Sequence, residues 1–249
     1  RADGRWLPVS AVAYYWNAAV EFLERCGRGD GLRGGFDLPD ARMELGVSTE
    51  QDRAGSELLE RARVGSGEKI AVLNPGGNNE TKRWPPDRFI QVGRVLREKH
   101  GMRVLVNGSP GESELTGRIA EGVNVGYGNT RTGGLEAGAA GEAVDLATRG
   151  ITLGSLKAVV RRSSLMVTND TGPRHIAAAF GVPVVSLFGP TDERWTRIPV
   201  AAGMEEVLVA EPGLREDEIA DDFPERCRVE KIGLELVLGA VDRLLGRSR

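Results

Sequence analysis

The chain has 249 residues and a mass of 26.8 kDa, with 33 Lys and Arg against 36 Asp and Glu, a formal net charge of −3. Hydrophobic residues at 40% and charged residues at 28% give enough apolar side chains for a core and exclude general disorder. So balanced a charge offers no broad basic field, which excludes nucleic acid as a main partner, and Cys26 and Cys227 form no C-x-x-C pair, which makes a reducing cytoplasm the simplest setting.

Residues 1–67 carry two helical stretches, near Ala11 to Arg25 and Thr49 to Arg63, with a Gly-rich break over 26–35 between them and no strand. They read as a helical tail and linker ahead of an α/β domain over 68–249. The start at Arg1 rather than Met leads us to expect missing upstream sequence. Arg1-Ala2-Asp3-Gly4 lacks a basic-then-apolar signal pattern. No apolar run approaches the roughly 20 residues of a membrane span.

From Lys69 onward, short apolar runs alternate with helical periodicity. Ile70-Ala71-Val72-Leu73 predicts a buried parallel strand. Phe89, Val92, Val95 and Leu96 predict a helix opened by Pro86 and Asp87 and closed by Gly101. Val104-Leu105-Val106 predicts a strand, 108–111 a tight loop and 112–121 a helix. Residues 126–142 are Gly-rich and aperiodic, an irregular surface excursion. Thr152 and Ser155 suit the cap of a helix whose apolar face is Leu156, Val159 and Val160. Leu165-Met166-Val167 predicts a strand, 173–180 a helix ended by Gly181, Val184 to Phe188 a strand, and Glu206 to Ala210 another. Val229, Ile232, Val237, Val241, Leu244 and Leu245 predict one long amphipathic C-terminal helix.

The alternation predicts a Rossmann-like, doubly wound parallel sheet, with ligands at the carboxyl ends of its strands. Two of those loops carry chemistry. The first runs from Asn74 to Pro85: Gly76 and Gly77 leave amides exposed, Thr81 brings a hydroxyl, and Lys82 and Arg83 bring charge, which suits a phosphate or diphosphate. It is not a Walker loop, because no Gly precedes the Lys at the required place. A solvated loop with ordinary surface charges is the alternative. The second, Asn169 to His175, sits where a strand enters a helix, so its amides and the helix dipole favour an anion. Asp170 would cap that helix or meet a ligand hydroxyl, and His175, taken alone, reads as structural. Asp170-Thr171-Gly172 also matches the aspartic protease tripeptide, but it occurs once, between a parallel strand and a helix, where such an enzyme needs two copies among β-hairpins.

Five motifs in order carry a resemblance: Asn74-Pro75-Gly76 with Lys82-Arg83-Trp84-Pro85; Asn107-Gly108-Ser109 to Glu112; Thr152 to Leu156; Thr168 to Ala179; and Pro183 to Thr191. From Lys69 to Pro199 the sequence resembles the nucleotide-sugar half of the lipopolysaccharide heptosyltransferases, glycosyltransferase family nine. The resemblance implies a GT-B architecture, two Rossmann-like domains across a cleft, of which this chain supplies the C-terminal donor-binding one. It implies inverting transfer of heptose from an ADP-activated donor to a lipid-linked or core oligosaccharide, with no cofactor or obligatory metal, in the cytoplasm at the inner membrane face.

By position the resemblance assigns Thr81 and Lys82 to the diphosphate, beside Gly76 and Gly77, and Glu112 to the ribose hydroxyls. Asp170 goes to the sugar, the Thr171 and Gly172 amides to the phosphates, and His175 to support of that loop, with Lys82 and Asp170 the catalytic pair. The family's general base, an Asp near the start of the first domain, has no counterpart here, so the chain is expected to bind donor without transferring sugar alone. Two alternatives stay open: a non-catalytic sugar-nucleotide-binding module, and a UDP-sugar epimerase-like enzyme, which would prefer uridine. A C-terminal helix crossing to the missing domain would leave its apolar face exposed.

Overall fold

The computed structural model describes residues 10–28, 42–125 and 141–247. The Gly-rich stretches read from sequence at 26–35 and 126–142 fall mostly outside these residues. Six strands, β1 (Ile70–Asn74), β2 (Arg103–Val106), β3 (Val144–Asp145), β4 (Leu165–Asn169), β5 (Val184–Phe188) and β6 (Glu205–Val209), form one sheet in the order β3-β2-β1-β4-β5-β6. Every neighbouring pair is parallel. The chain winds outward from β1 through β2 to β3, then returns to β4 on the other side of β1. The direction of winding therefore reverses between β1 and β4, and a crevice opens there at the carboxyl ends of the strands.

Alternation along each strand assigns the two faces. Ala71 and Leu73 of β1 pack with Leu165 and Val167 of β4 against α3 (Pro86–Glu98), α4 (Ser113–Asn124) and α7 (Leu234–Arg247), through Phe89, Val92, Ile119, Val237 and Val241. Ile70 and Val72 face the other way with Met166, against α2 (Thr49–Arg61), α5 (Leu153–Arg161) and α6 (Gly172–Ala179). Both faces are covered, which is why the strands read as continuous apolar runs. Thr152 and Ser155 form the capping box of α5, each side-chain oxygen accepting from the other's backbone N–H at 3.1 and 2.9 Å. Gly101 and Gly181 follow α3 and α6 with φ of 63° and 66°, left-handed values that a side chain would oppose.

Three readings need correction. First, the C-terminal run is not one helix: Val229–Lys231 is a 3-10 turn, and α7 begins only after Gly233. Its face is not left bare either, since Val237, Ala240, Val241 and Leu244 are buried within this domain. Second, α2 packs into the core of the sheet domain. Leu58 and Leu59 lie in the core beside Ile70, Val159 and Val160. Third, β3 was absent from the sequence reading, because two residues carry no periodicity. By contrast α1 (Ala11–Arg25) buries no residue and leaves Tyr14, Tyr15 and Phe22 exposed. No helix among the described residues is long and apolar enough to cross a membrane.

Candidate functional site

β1 and β4, which flank the reversal, end at Asn74 and Asn169, and Asn107 directly follows β2; these three side chains knit the strand ends together. Asn107 Nδ2 donates to Asn74 Oδ1 at 2.6 Å. Asn74 Nδ2 donates in turn to the hydroxyls of Thr168 and Thr171 at 3.0 and 2.8 Å. Asn169 Nδ2 donates to the Pro75 carbonyl at 2.7 Å, while its Oδ1 accepts from the Trp84 N–H at 3.1 Å. Trp84, itself buried, donates from Nε1 to the Ile232 carbonyl at 2.9 Å. The loop after β1 is thus pinned at its start by β4 and at its end by the entry to α7. These asparagines stand in the sequence motifs but were not singled out as functional. Their signal was the recurrence of an Asn at or just after the end of three of the apolar runs.

Above this belt lies a cleft of about 420 Å³ lined by Asn74, Gly76, Gly77, Lys82, Asn107, Glu112, Asp170, Thr171 and Gly172, among others. Seven of the nine residues proposed from sequence meet here. Lys82 Nζ stands 3.6 Å from Asp170 Oδ2, with the two side chains 30% and 9% exposed. A lysine side chain partly in water and a carboxylate mostly out of it leave the cation available to a ligand while fixing its direction. Thr171 is the N-cap of α6, but its side chain makes no capping bond. Asp170 does not cap the helix either; its carboxylate faces Lys82. The first amides of a helix have no intrahelical acceptor, so the α6 terminus presents N–H groups and a positive dipole end to the cleft.

Glu112 is engaged by the loop after β1 and by its own loop after β2. Gly77 N–H donates to its Oε1 at 2.8 Å, and the Ser109 N–H and hydroxyl donate to its Oε2 at 2.8 Å each. Burial pushes the Glu112 carboxyl up, but the Ser109 and Gly77 amides, the Ser109 hydroxyl and the Arg83 charge outweigh it, so its pKa lies below the ordinary value. The Gly77 amide is therefore turned to Glu112 rather than left free. Gly76 is required by closeness alone: a Cβ there would come within 2.3 Å of Glu112 Oε1.

Two proposed residues lie outside the cleft. Thr81 sits in a 3-10 turn, Glu80–Lys82, whose geometry sends successive side chains about 120° apart. Its hydroxyl donates to Asn79 Oδ1 at 2.8 Å, and it lines a separate hollow with Arg83, Pro190 and Arg228. His175 is half-buried behind the α6 terminus. Burial lowers its pKa and the Arg174 charge lowers it further, against Asp170 and Glu205, so at neutral pH it is uncharged. Arg83, which supplied half of the positive charge read from the loop, donates from Nε and Nη2 to the Gly77 carbonyl at 2.9 and 2.7 Å, and so shapes the loop instead of facing the cleft. A smaller hollow of about 240 Å³ beyond β5 and β6 holds Asp192 and Arg194. These two are paired with each other at 2.7 Å, so their charges are already matched.

Residues 32–225 match the model of glycosyltransferase family 9 (heptosyltransferase). The chain belongs to that family. The family 9 chain is 29% identical over 161 residues to lipopolysaccharide heptosyltransferase 1 of Pseudomonas aeruginosa, a match covering 65% of this chain and 38% of the relative. It is 28% identical over 165 residues to lipopolysaccharide heptosyltransferase 2 of Escherichia coli K12, covering 60% and 43%. It thus spans less than half the length of these curated relatives. Among solved structures, a family 9 glycosyltransferase of Veillonella parvula superposes with a TM-score of 0.70 at 23% identity, covering 99% of this chain and 62% of that one. The ADP-heptose heptosyltransferase II of E. coli gives 0.61 at 22% identity, covering 83% and 54%. These likenesses establish the fold.

Proposed function

We propose that this chain is the donor-binding half of an inverting, metal-independent glycosyltransferase, which takes heptose or a similar sugar from an ADP-activated donor for a lipopolysaccharide-type acceptor. The observation that carries this reading is the convergence of Lys82, Asp170 and the α6 N-terminus on one cleft at the reversal between β1 and β4. One ammonium and a helix terminus fit a diphosphate. In this reading Lys82 and the Thr171 and Gly172 amides hold the diphosphate, Asp170 meets the sugar, and Glu112 accepts from the ribose hydroxyls with the lone pairs that Gly77 and Ser109 leave. Thr81 and the Gly77 amide take no direct part, and His175 supports the α6 terminus as a neutral group.

The chemistry follows from where charge develops. As the bond between sugar and diphosphate breaks, negative charge grows on the leaving phosphate, and Lys82 with the α6 amides stabilises it more in the transition state than in the ground state. Inversion follows from attack on the anomeric carbon from the face opposite the diphosphate. The base that deprotonates the attacking hydroxyl comes, in this reading, from the preceding domain of the family's two-domain architecture. The full enzyme works in the cytoplasm, at the inner membrane face where a lipid-linked acceptor is presented.

Calorimetric titration of the chain with ADP, UDP and GDP tests the proposal, with Lys82→Ala as the control. We expect selective ADP binding, weakened about tenfold or more in the variant, the loss usual for one charge-assisted contact. Selective UDP binding would favour the epimerase-like alternative. Binding of ADP-heptose without turnover, when the chain is joined to a family N-terminal domain, would favour the non-catalytic module.

A further inference from the structure

Behind the cleft, on the side of α6 that faces the sheet, lies a buried polar cluster centred on Arg174. This residue is 1% exposed. Its Nε donates to Glu205 Oε1 at 2.6 Å and its Nη2 to Glu205 Oε2 at 3.2 Å, while Ser186 Oγ donates to the same carboxylate at 2.6 Å. The guanidinium also stacks 4.8 Å from the Phe188 ring. A cation in the first turn of a helix opposes the macrodipole, and a buried ion pair adds little net stability over an apolar replacement. The cluster's consequence is better sought in what it fixes in place.

What it fixes is Thr196, at the end of the 3-10 turn Glu193–Thr196. Arg174 Nη1 donates to the Thr196 carbonyl at 2.7 Å and approaches its hydroxyl at 3.5 Å. A guanidinium has donors only, so the hydroxyl accepts on that side and its own proton points the other way, to Asp170 Oδ1 at 3.4 Å. The second oxygen of the same carboxylate faces Lys82. Asp170 is thus held from both ends, by the cleft's cation and by a hydroxyl whose direction a buried arginine sets.

We propose that Thr196 is a positioning residue of the donor site, which with Arg174 behind it orients the Asp170 carboxylate toward the sugar of a sugar nucleotide. The proposal rests on the reading of Asp170 as the group that meets the sugar. It assigns Thr196 no part in holding the diphosphate, and so separates two ligands that share the nucleotide.

The test is calorimetric binding of ADP and of ADP-heptose to the parent chain, Thr196→Val and Thr196→Ser, each first shown to melt as the parent does. Thr196→Val should bind ADP within about twofold of the parent but ADP-heptose about fivefold more weakly, the scale of one polar contact. Thr196→Ser should restore the difference. An equal loss for both ligands indicates a general structural role and overturns the proposal, as does no loss for either. A parent that binds ADP-heptose no tighter than ADP overturns it too, while leaving the nucleotide reading intact. A parent that binds neither ligand overturns the reading on which both stand.

Discussion

At the scale of single residues, the chemistry of the cleft depends on how closely the loops after β1 and β2 approach each other. Gly76 sets that distance. A methyl group there would overlap the Glu112 carboxylate at 2.3 Å, and Glu112 cannot retreat without releasing the Gly77 and Ser109 amides. We expect Gly76→Ala to lower stability by about 1–3 kcal/mol, the usual cost of overpacking, and to weaken nucleotide binding. Gly111→Ala, whose added Cβ meets nothing within 4 Å, is the matched control. Equal denaturant midpoints for the two variants would sink this account of Gly76. The residue types of the cleft were legible in the sequence because Gly, Lys and Asp together at strand-to-helix junctions suit a phosphate, although turns, caps and surface charge use the same residues. Their directions were not. Lys82 and Thr81 are neighbours in sequence, yet a 3-10 turn sends one into the cleft and the other away from it. Arg174 reads as one more charge in a motif until Glu205, 31 positions on, is seen beside it.

At the scale of elements, α6 joins the cleft to the far edge of the sheet, and its attachment runs through the Arg174–Glu205 pair. Removing one member strands the other charge, so Arg174→Met should cost about 3–5 kcal/mol. Adding Glu205→Leu removes the stranded carboxylate and should recover more than half of that loss. Recovery stays incomplete because Ser186 and the Thr196 carbonyl still lose their partner. Urea denaturation of both variants checks this, and a double variant no more stable than the single one would show that the loss comes from packing against Phe188. The strands of four or five residues and the helices between them were legible because burial on both faces leaves short apolar runs that alternate with helical periodicity, the pattern of a parallel sheet. The division of the C-terminal run was not, because the apolar residues of its 3-10 turn, Val229 and Ile232, keep a spacing that a continuous helix would also give.

At the scale of the whole molecule, the question is where the sheet domain begins. A boundary near residue 67, where the strands start, is natural from sequence, since the pattern of 1–67 predicts no strand. Packing, however, extends the core to α2. Ser48 opens α2 with a capping box, accepting from Gln51 N–H while Gln51 Oε1 accepts from Ser48 N–H. The helix then buries Leu58 and Leu59 against Ile70, Val159 and Val160, and Ala62 and Val64 continue the same cluster. Gly55 lies so near α5 that an added Cβ would stand 2.4 Å from the Ala158 Cβ. Ion pairing adds Arg161 to Asp52 at 2.6 Å. α1 by contrast buries no residue, and its described attachment includes a bond from the Ser10 hydroxyl to the Arg197 carbonyl. A chain beginning at Met43 should therefore unfold at the denaturant midpoint of the parent and bind ADP as the parent does. A chain beginning at Glu68 loses two buried leucines worth about 1.5–3 kcal/mol each and uncovers the α5 face, so it should unfold several kcal/mol more readily or fail to remain monomeric. If the Glu68 chain matched the parent in midpoint and monodispersity, α2 would be an appendage and the sequence-based boundary would stand. If the Met43 chain were the one to lose stability, α1 would have to be counted into the domain despite its exposed aromatic face.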